Sequence, residues 1–320
     1  MKIPVEVVKD LEKKQYAIYG HSGVQICTWT KKVLQGKGAC YKQKFYGVNT
    51  HKCMQFSPAA MWCSNRCLYC WRPTELMDPN DFKGSGIQNP KEIIENLIEG
   101  RRKLLSGFGG REDTEEELWH DASIPDHFAI SLSGEPTIYP KLPELIAYLR
   151  DEYKARSIFL VTNGNFPEMI EKLIKKKALP HQLYLSAVAP NKELYNEIVQ
   201  PKQKDAWERW LKSLKLLEEV KRTIIRLTLI KGINDSDEHL KKFQELIGKS
   251  KADFIEIKAY MFLGYSRNRL KIENMPVHSE VLEFSKNFCK NSDFKIIDEH
   301  PPSRIVLMHN KKSKEKKELV

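Results

Sequence analysis

The feature that most constrains this chain is an alternation. From His51 onward, short apolar runs with strand character are followed by stretches of helical periodicity, and the unit recurs about six times. Met54–Phe56, Phe128–Leu132, Ile158–Val161, Gln182–Val188, Thr223–Ile230 and Phe254–Lys258 read as strands. Pro90–Leu104, Leu142–Tyr153, Pro167–Lys176, Ala206–Val220, Glu238–Ile247 and Ser279–Lys290 read as helices; in the first, Ile93, Ile94, Leu97 and Ile98 share one face. Strands alternating with helices imply a parallel sheet with the helices outside it. Six units fall short of a closed eight-stranded ring. The expected fold class is therefore α/β, a partial (β/α)6 TIM-like barrel over residues 51–310 with an N-terminal cysteine-rich extension over 1–50. Lys295–Ile297 and Ile305–Leu307 read as a terminal hairpin. In the extension, residues 1–20 read as a short helix ending in a turn at Gly20, and Thr28–Leu34 as a second helix broken by Gly36-Lys37-Gly38. The basic tail, 311–320, is expected to be disordered. The acidic segment from Gly107 to Asp126 reads as an insertion or lid.

Composition narrows the class further. No run approaches 18 apolar residues, so no membrane span is expected, and the charged start does not read as a signal peptide. The cytoplasm is the default location. The excess of 53 Lys+Arg over 42 Asp+Glu gives +11, which favours a polyanion such as RNA as partner. The same Lys- and Glu-rich composition is also common in thermophile proteins. Of seven cysteines, six lie in the first quarter; in an untargeted chain they point to metal rather than disulfides. The seventh, Cys289, sits in a helical stretch and reads as core.

Cys63, Cys67 and Cys70 are spaced C-x3-C-x2-C. A [4Fe–4S] cluster normally takes four thiolates, so three leave one iron open to a reacting ligand. The rival is a partial zinc knuckle, although zinc closes its structural sites with four ligands. Cys27, Cys40 and Cys53 form a second set of three, spaced C-x12-C-x12-C. A second cluster is the favoured reading. Lone zinc with His21 or His51 as fourth ligand is the alternative, and isolated cysteines are often small buried hydrophobes.

With Tyr69 before Cys70, the first set resembles the C-x3-C-x-aromatic-C signature of the radical S-adenosylmethionine (SAM) superfamily. Ser133-Gly134-Glu135-Pro136, after the second strand, resembles that superfamily's Gly-Gly-Glu-Pro motif, with Ser133 replacing the first Gly. The resemblance implies SAM contacts from Gly134, Glu135, Asn163 and Ser186, at or near strand ends, and from Arg226 on the fifth strand. A structural ion pair is an equal reading for Arg226. Lys258 is either a site residue facing the barrel mouth or half of an ion pair.

Longer words carry the likeness to one family. They are Cys40-Tyr41-Lys42-Gln43-Lys44-Phe45-Tyr46-Gly47, His51-Lys52-Cys53-Met54-Gln55, Cys67-Leu68-Tyr69-Cys70-Trp71-Arg72 and Met261-Phe262-Leu263-Gly264-Tyr265-Ser266. Over roughly residues 5–310 the chain resembles the tRNA 4-demethylwyosine synthases of archaeal type. That resemblance implies two [4Fe–4S] clusters and SAM as cofactors, with N1-methylguanosine-37 of tRNA-Phe and pyruvate as substrates. A 5′-deoxyadenosyl radical takes hydrogen from the N1-methyl group, the carbon radical adds to pyruvate, a one-carbon fragment leaves and the tricyclic base closes. Lys42 matches the family's Schiff-base lysine, with Lys44 and Lys258 as competitors. The eukaryotic form carries an N-terminal flavodoxin-like reductase; this chain has no room for one before Cys27, so an external electron donor is expected. The rivals are another radical SAM enzyme, such as a glycyl-radical activase, and a zinc-dependent RNA-binding module without catalysis.

Overall fold

The computed structural model describes residues 2–77, 82 and 86–320. Ten strands form one sheet. They are β1 (Tyr16–Tyr19), β2 (Ser22–Gln25), β3 (Cys53–Ser57), β4 (His127–Ile130), β5 (Ser157–Thr162), β6 (Gln182–Ala187), β7 (Thr223–Leu229), β8 (Phe254–Ala259), β9 (Phe294–His300) and β10 (Ile305–Asn310). The central strands, β3 through β8, are parallel nearest neighbours in chain order. This is the expected partial barrel of six units. The hairpin of β9 and β10 closes one edge by pairing β10 antiparallel to β8.

The other edge differs from the sequence reading. The helix Val5–Lys13 ends early, because Gln15 takes a left-handed conformation with φ 62°. The chain then forms the hairpin β1–β2 around Gly20 and joins β3 antiparallel. Strands of four residues offered no apolar alternation to read. A helix at Lys192–Val199 was also missed, although Asn191 caps it by accepting from Leu194 N at 2.9 Å.

Because side chains alternate across a strand, the sheet has two cores. Met54, Phe128, Ile158, Leu183, Ile225 and Ile255 face the outer helices. Ala129, Phe159, Tyr184, Ile224 and Phe254 face the barrel interior. There they pack on a plug, the short helix Tyr41–Tyr46, whose Phe45 and Tyr46 are fully buried. Each such ring stabilises by about 1.5–3 kcal/mol relative to exposure. The extension is therefore part of the barrel rather than an appendage.

Two further expectations are corrected. The tail is held: Leu319 N and Val320 N donate to Tyr46 O at 3.2 and 3.3 Å, and Arg222 donates to the carbonyls of Lys316 and Lys317. Its lysines are surface charges, but its backbone caps the plug. The segment 107–126 does not cover the mouth. It leads into the N-terminal end of β4, where its helix Glu116–Ala122 packs on the helices Thr28–Leu34 and Pro90–Ser106 through Glu115 N to Leu34 O and Trp119 Nε1 to Leu105 O, both 2.8 Å. No helix among the described residues is long and apolar enough to cross a membrane.

Candidate functional site

The loop after β3 carries Cys63, Cys67 and Cys70 at the C-terminal ends of the strands. All three thiols are pushed up, first by burial and then, for Cys63, by the charge of Cys67 and, for Cys67, by that of Cys70; Cys67 rises to about 12. Thiols so placed stay protonated until a metal displaces the proton.

The segment after β4 braces this loop. Gly134 has φ +67°, and a Cβ there would sit 2.0 Å from Ala59 O and 2.6 Å from Trp62 O, so only glycine fits. Glu135 N donates to Trp62 O at 2.7 Å, and Ser133 Oγ to Ala60 O at 2.7 Å. The serine that replaces the superfamily glycine is thus a second tie to the loop. The Glu135 carboxylate is buried; Oε1 accepts from Thr137 N, Thr137 Oγ1 and Thr162 Oγ1, and Oε2 from Asn163 N at 2.7 Å. Burial pushes this carboxyl up while those bonds oppose the rise. Oε2 keeps capacity for a further donor. Asn163 Nδ2 lies 3.8 Å from Cys63 Sγ and 3.4 Å from Ser64 Oγ. Gly134, Glu135 and Asn163 therefore converge on the cysteine loop.

Ser186 and Arg226 are opposite one another on β6 and β7. Arg226 is already engaged: Nε donates to Glu256 Oε2 at 2.8 Å and Nη2 to Tyr41 OH at 2.6 Å. Glu256 has no exposed surface and also accepts from Tyr46 and Tyr184. This favours the ion-pair reading of Arg226.

The second set gathers at the other end of β3. Cys53 opens that strand, Cys40 precedes the plug, and Cys27 caps the helix Thr28–Leu34, accepting from Thr30 N at 3.3 Å. The charges of Cys27 and Cys53 both raise Cys40, which burial has pushed to about 12. Four steps along β3 at ~3.3 Å each place its two ends about 13 Å apart. The proposed fourth zinc ligands are committed elsewhere. His21 Nδ1 contacts Pro58 O at 2.6 Å and Nε2 accepts from Gln88 N at 3.0 Å, while His51 Nε2 pairs with Asp121 at 2.9 Å.

Lys42 lies inside the barrel, 9% exposed, with Nζ 4.1 Å from the centre of the Phe159 ring. The expected competitor Lys44 points away, to Asp298 at 2.8 Å, since two residues along a helix turn to the opposite side. Lys258 faces the interior, donates to Ser303 O at 3.1 Å, and is pulled down to about 8 by burial and then by Arg226.

These features recur in known proteins. The Radical SAM superfamily matches residues 58–243, and a family described as Wyosine base formation matches 249–310. The S-adenosyl-L-methionine-dependent tRNA 4-demethylwyosine synthase of Pyrococcus horikoshii is 43% identical over 96% of this chain and 89% of its own length. That of Methanocaldococcus jannaschii is 40% identical over 98% of each. The chain belongs to the tRNA 4-demethylwyosine synthase family.

Among solved structures, an archaeal TYW1 superposes with a TM-score of 0.79 at 34% identity over 99% of both chains. A TYW1 described as having a lysine–pyruvate adduct bound superposes with 0.86 at 37% identity over 98% of each. As a radical SAM enzyme the chain uses SAM and a [4Fe–4S] cluster. Its donor chemistry fits: three half-buried thiols at a strand-end loop, with glycine at the closest backbone approach. No three His, Cys, Asp or Glu among the described residues close around a single ion; the corners of a cubane stand farther apart.

The sequence reading missed three residues of the synthase site. Arg269, within the wyosine-matching segment, donates to Cys70 O and pairs with Glu75 at 3.0 Å, clamping the cysteine loop from the far end of the chain. Arg101 is fully buried and donates to Ala122 O, Cys53 O and His51 O. Asn165 ties the loop side to Tyr195 and Ala206 at 2.9 Å. Only Asn165 stood beside a motif; long-range partners leave the arginines no local pattern.

Proposed function

We propose that this synthase converts N1-methylguanosine-37 of tRNA-Phe to 4-demethylwyosine with pyruvate as second substrate. Cys63, Cys67 and Cys70 would hold the SAM cluster, and Cys27, Cys40 and Cys53 a second [4Fe–4S] cluster reduced by an external donor. When bound, SAM and its cluster supply a 5′-deoxyadenosyl radical, the reagent for removing hydrogen from the N1-methyl group. Gly134, Glu135, Asn163 and Ser186 line the SAM side, with Glu135 Oε2 open to the methionyl ammonium; Arg226 acts chiefly by holding Glu256.

The observation that carries the pyruvate role is Lys42 inside the barrel beside the second cysteine set. Its neutral amine adds to the keto carbon of pyruvate and water leaves, giving an imine that fixes the substrate. The lysine–pyruvate adduct described for the TYW1 structure that superposes at 0.86 supports this reading. Around the imine, Phe159 and Tyr184 present ring faces that exclude water.

The test is anaerobic reconstitution followed by assay with methylated tRNA-Phe, pyruvate and SAM. Borohydride with labelled pyruvate should tag the Lys42 peptide, and Lys42→Ala should release 5′-deoxyadenosine without forming the tricyclic base. Normal product from Lys42→Ala would refute the assignment. Lys258 is the second reading, favoured by its pull down to about 8; label on its peptide instead would select it.

A further inference from the structure

We infer that the anticodon arm of the tRNA seats on the rim beside the cysteine loop, its phosphates against Arg66, Lys202 and Lys204 and an unpaired base against Trp71. This rests on the reading of the chain as a tRNA-modifying enzyme and assigns the surface that reading leaves open.

Residues 200–204 link the helices Lys192–Val199 and Ala206–Leu216 and are fastened to the cysteine loop. Arg66 N donates to Val199 O and Gln200 O at 3.1 and 3.3 Å, Lys202 N donates to Ser64 O at 2.9 Å, and Asn65 bridges to Pro201. An open groove of ≈ 510 Å³ lies between them, lined by Arg66, Lys202, Lys204 and otherwise uncharged residues. On the flanking helices Lys192 pairs with Glu208, Arg209 with Glu168 and Asp205, and Lys212 with Glu171. Among the described residues the groove lining carries no carboxylate, and Arg66 Nε is buried without an acceptor. Unpaired cations around an open groove call for an anion.

Trp71 identifies which anion. It follows Cys70 on the same loop and keeps 43% exposure. Its place is firm: Tyr265 N donates to Trp71 O at 3.1 Å, and the Arg72 guanidinium lies 3.8 Å from the ring centre. An exposed, fixed indole on the same loop as Arg66 suits single-stranded nucleic acid, where phosphates meet the charges and bases stack on the ring. An acidic electron carrier would use the cations but not the indole.

The test titrates reconstituted enzyme with an anticodon stem-loop RNA carrying N1-methylguanosine-37, from about 50 to 200 mM salt. Each single-strand phosphate contact contributes ~0.7 to the slope of log K against log salt. Lys202→Ala/Lys204→Ala should therefore lower the slope by about 1.4 and weaken binding about 25-fold at 0.1 M salt. Trp71→Leu should weaken binding by about tenfold with the slope unchanged. Lys103→Ala, at the opposite end of the barrel, should match wild type. A wild-type slope in the double variant overturns the assigned surface alone. Failure of wild type to bind the stem-loop in a salt-dependent way overturns the tRNA reading with it. Normal RNA binding by the double variant, with loss of SAM cleavage driven by an acidic flavodoxin but not by dithionite, overturns the proposal in favour of a reductant dock.

Discussion

Arg226→Met separates two roles for this guanidinium, SAM ligand and partner of a buried carboxylate. Glu256 has no exposed surface, and Arg226 is its only cationic partner among the described residues. The hydroxyls of Tyr46 and Tyr184 would remain, but neither carries charge. Breaking a buried pair by removing one partner costs about 3–5 kcal/mol, because the other charge is left uncompensated. Unfolding entropy of roughly 2.1 cal/mol/K per residue gives about 0.7 kcal/mol/K for a chain of 320 residues. The expected drop in Tm is therefore about 4–8 °C, read by scanning calorimetry of the anaerobic protein. Adding Glu256→Gln should restore most of the loss, since the double variant buries no charge, and a double-mutant cycle should show that coupling. A Tm within about 1 °C of wild type, together with a raised KM for SAM, would refute the argument and make Arg226 a SAM ligand.

Gly134→Ala should destabilise by about 2–5 kcal/mol, the sum of a left-handed alanine and an overpacked contact with Ala59 O, and should slow SAM cleavage as the cysteine loop shifts; urea melts and 5′-deoxyadenosine release check both. Cys67→Ala should abolish 5′-deoxyadenosine formation with the fold intact by circular dichroism. The triple Ala variant of Cys27, Cys40 and Cys53 should lose about half the iron of the wild type yet keep some cleavage, as expected if each set holds one [4Fe–4S] cluster. Burial, helped by the Lys141 charge, holds His21 at about 4 in the fold, opposed by its bond to Pro58 O. Its folded value lies below its unfolded value of ~6.5, so its stabilising effect is complete above ~6.5 and is lost as pH falls toward 4. Between pH 7.5 and 5, wild type should lose about 2 kcal/mol more than His21→Gln in urea titrations; equal losses would contradict the burial argument.

The parallel strands were legible because most are short runs buried on both faces, a pattern that local composition writes directly. Phe128–Ile130 and Ile158–Leu160 are such runs. The hairpin β1–β2 was not, since Tyr16–Tyr19 and Ser22–Gln25 are short, and their place is set by the pairing of β2 with β3 and of β1 with β2 rather than by their own pattern. The tail misled for the same reason: its charges are solvated, while its backbone carbonyls serve Arg222. At the site, the residues adjacent in sequence to cysteines and glycines were readable. Arg269 and Arg101 were not, because their partners lie far along the chain.

What the sequence determined by itself is the chemistry on offer: two sets of three thiols, a Ser-Gly-Glu-Pro motif, and a lysine two residues past Cys40. Motif spacing records these because ligands and close approaches are demands on residue type. Orientation was decided by the tertiary structure alone. About half a turn of helix sends Lys42 into the barrel and Lys44 out to Asp298, and the register of β7 with β8 places Arg226 against Glu256. Those outcomes depend on which elements pack against which face, and no window of sequence contains both partners.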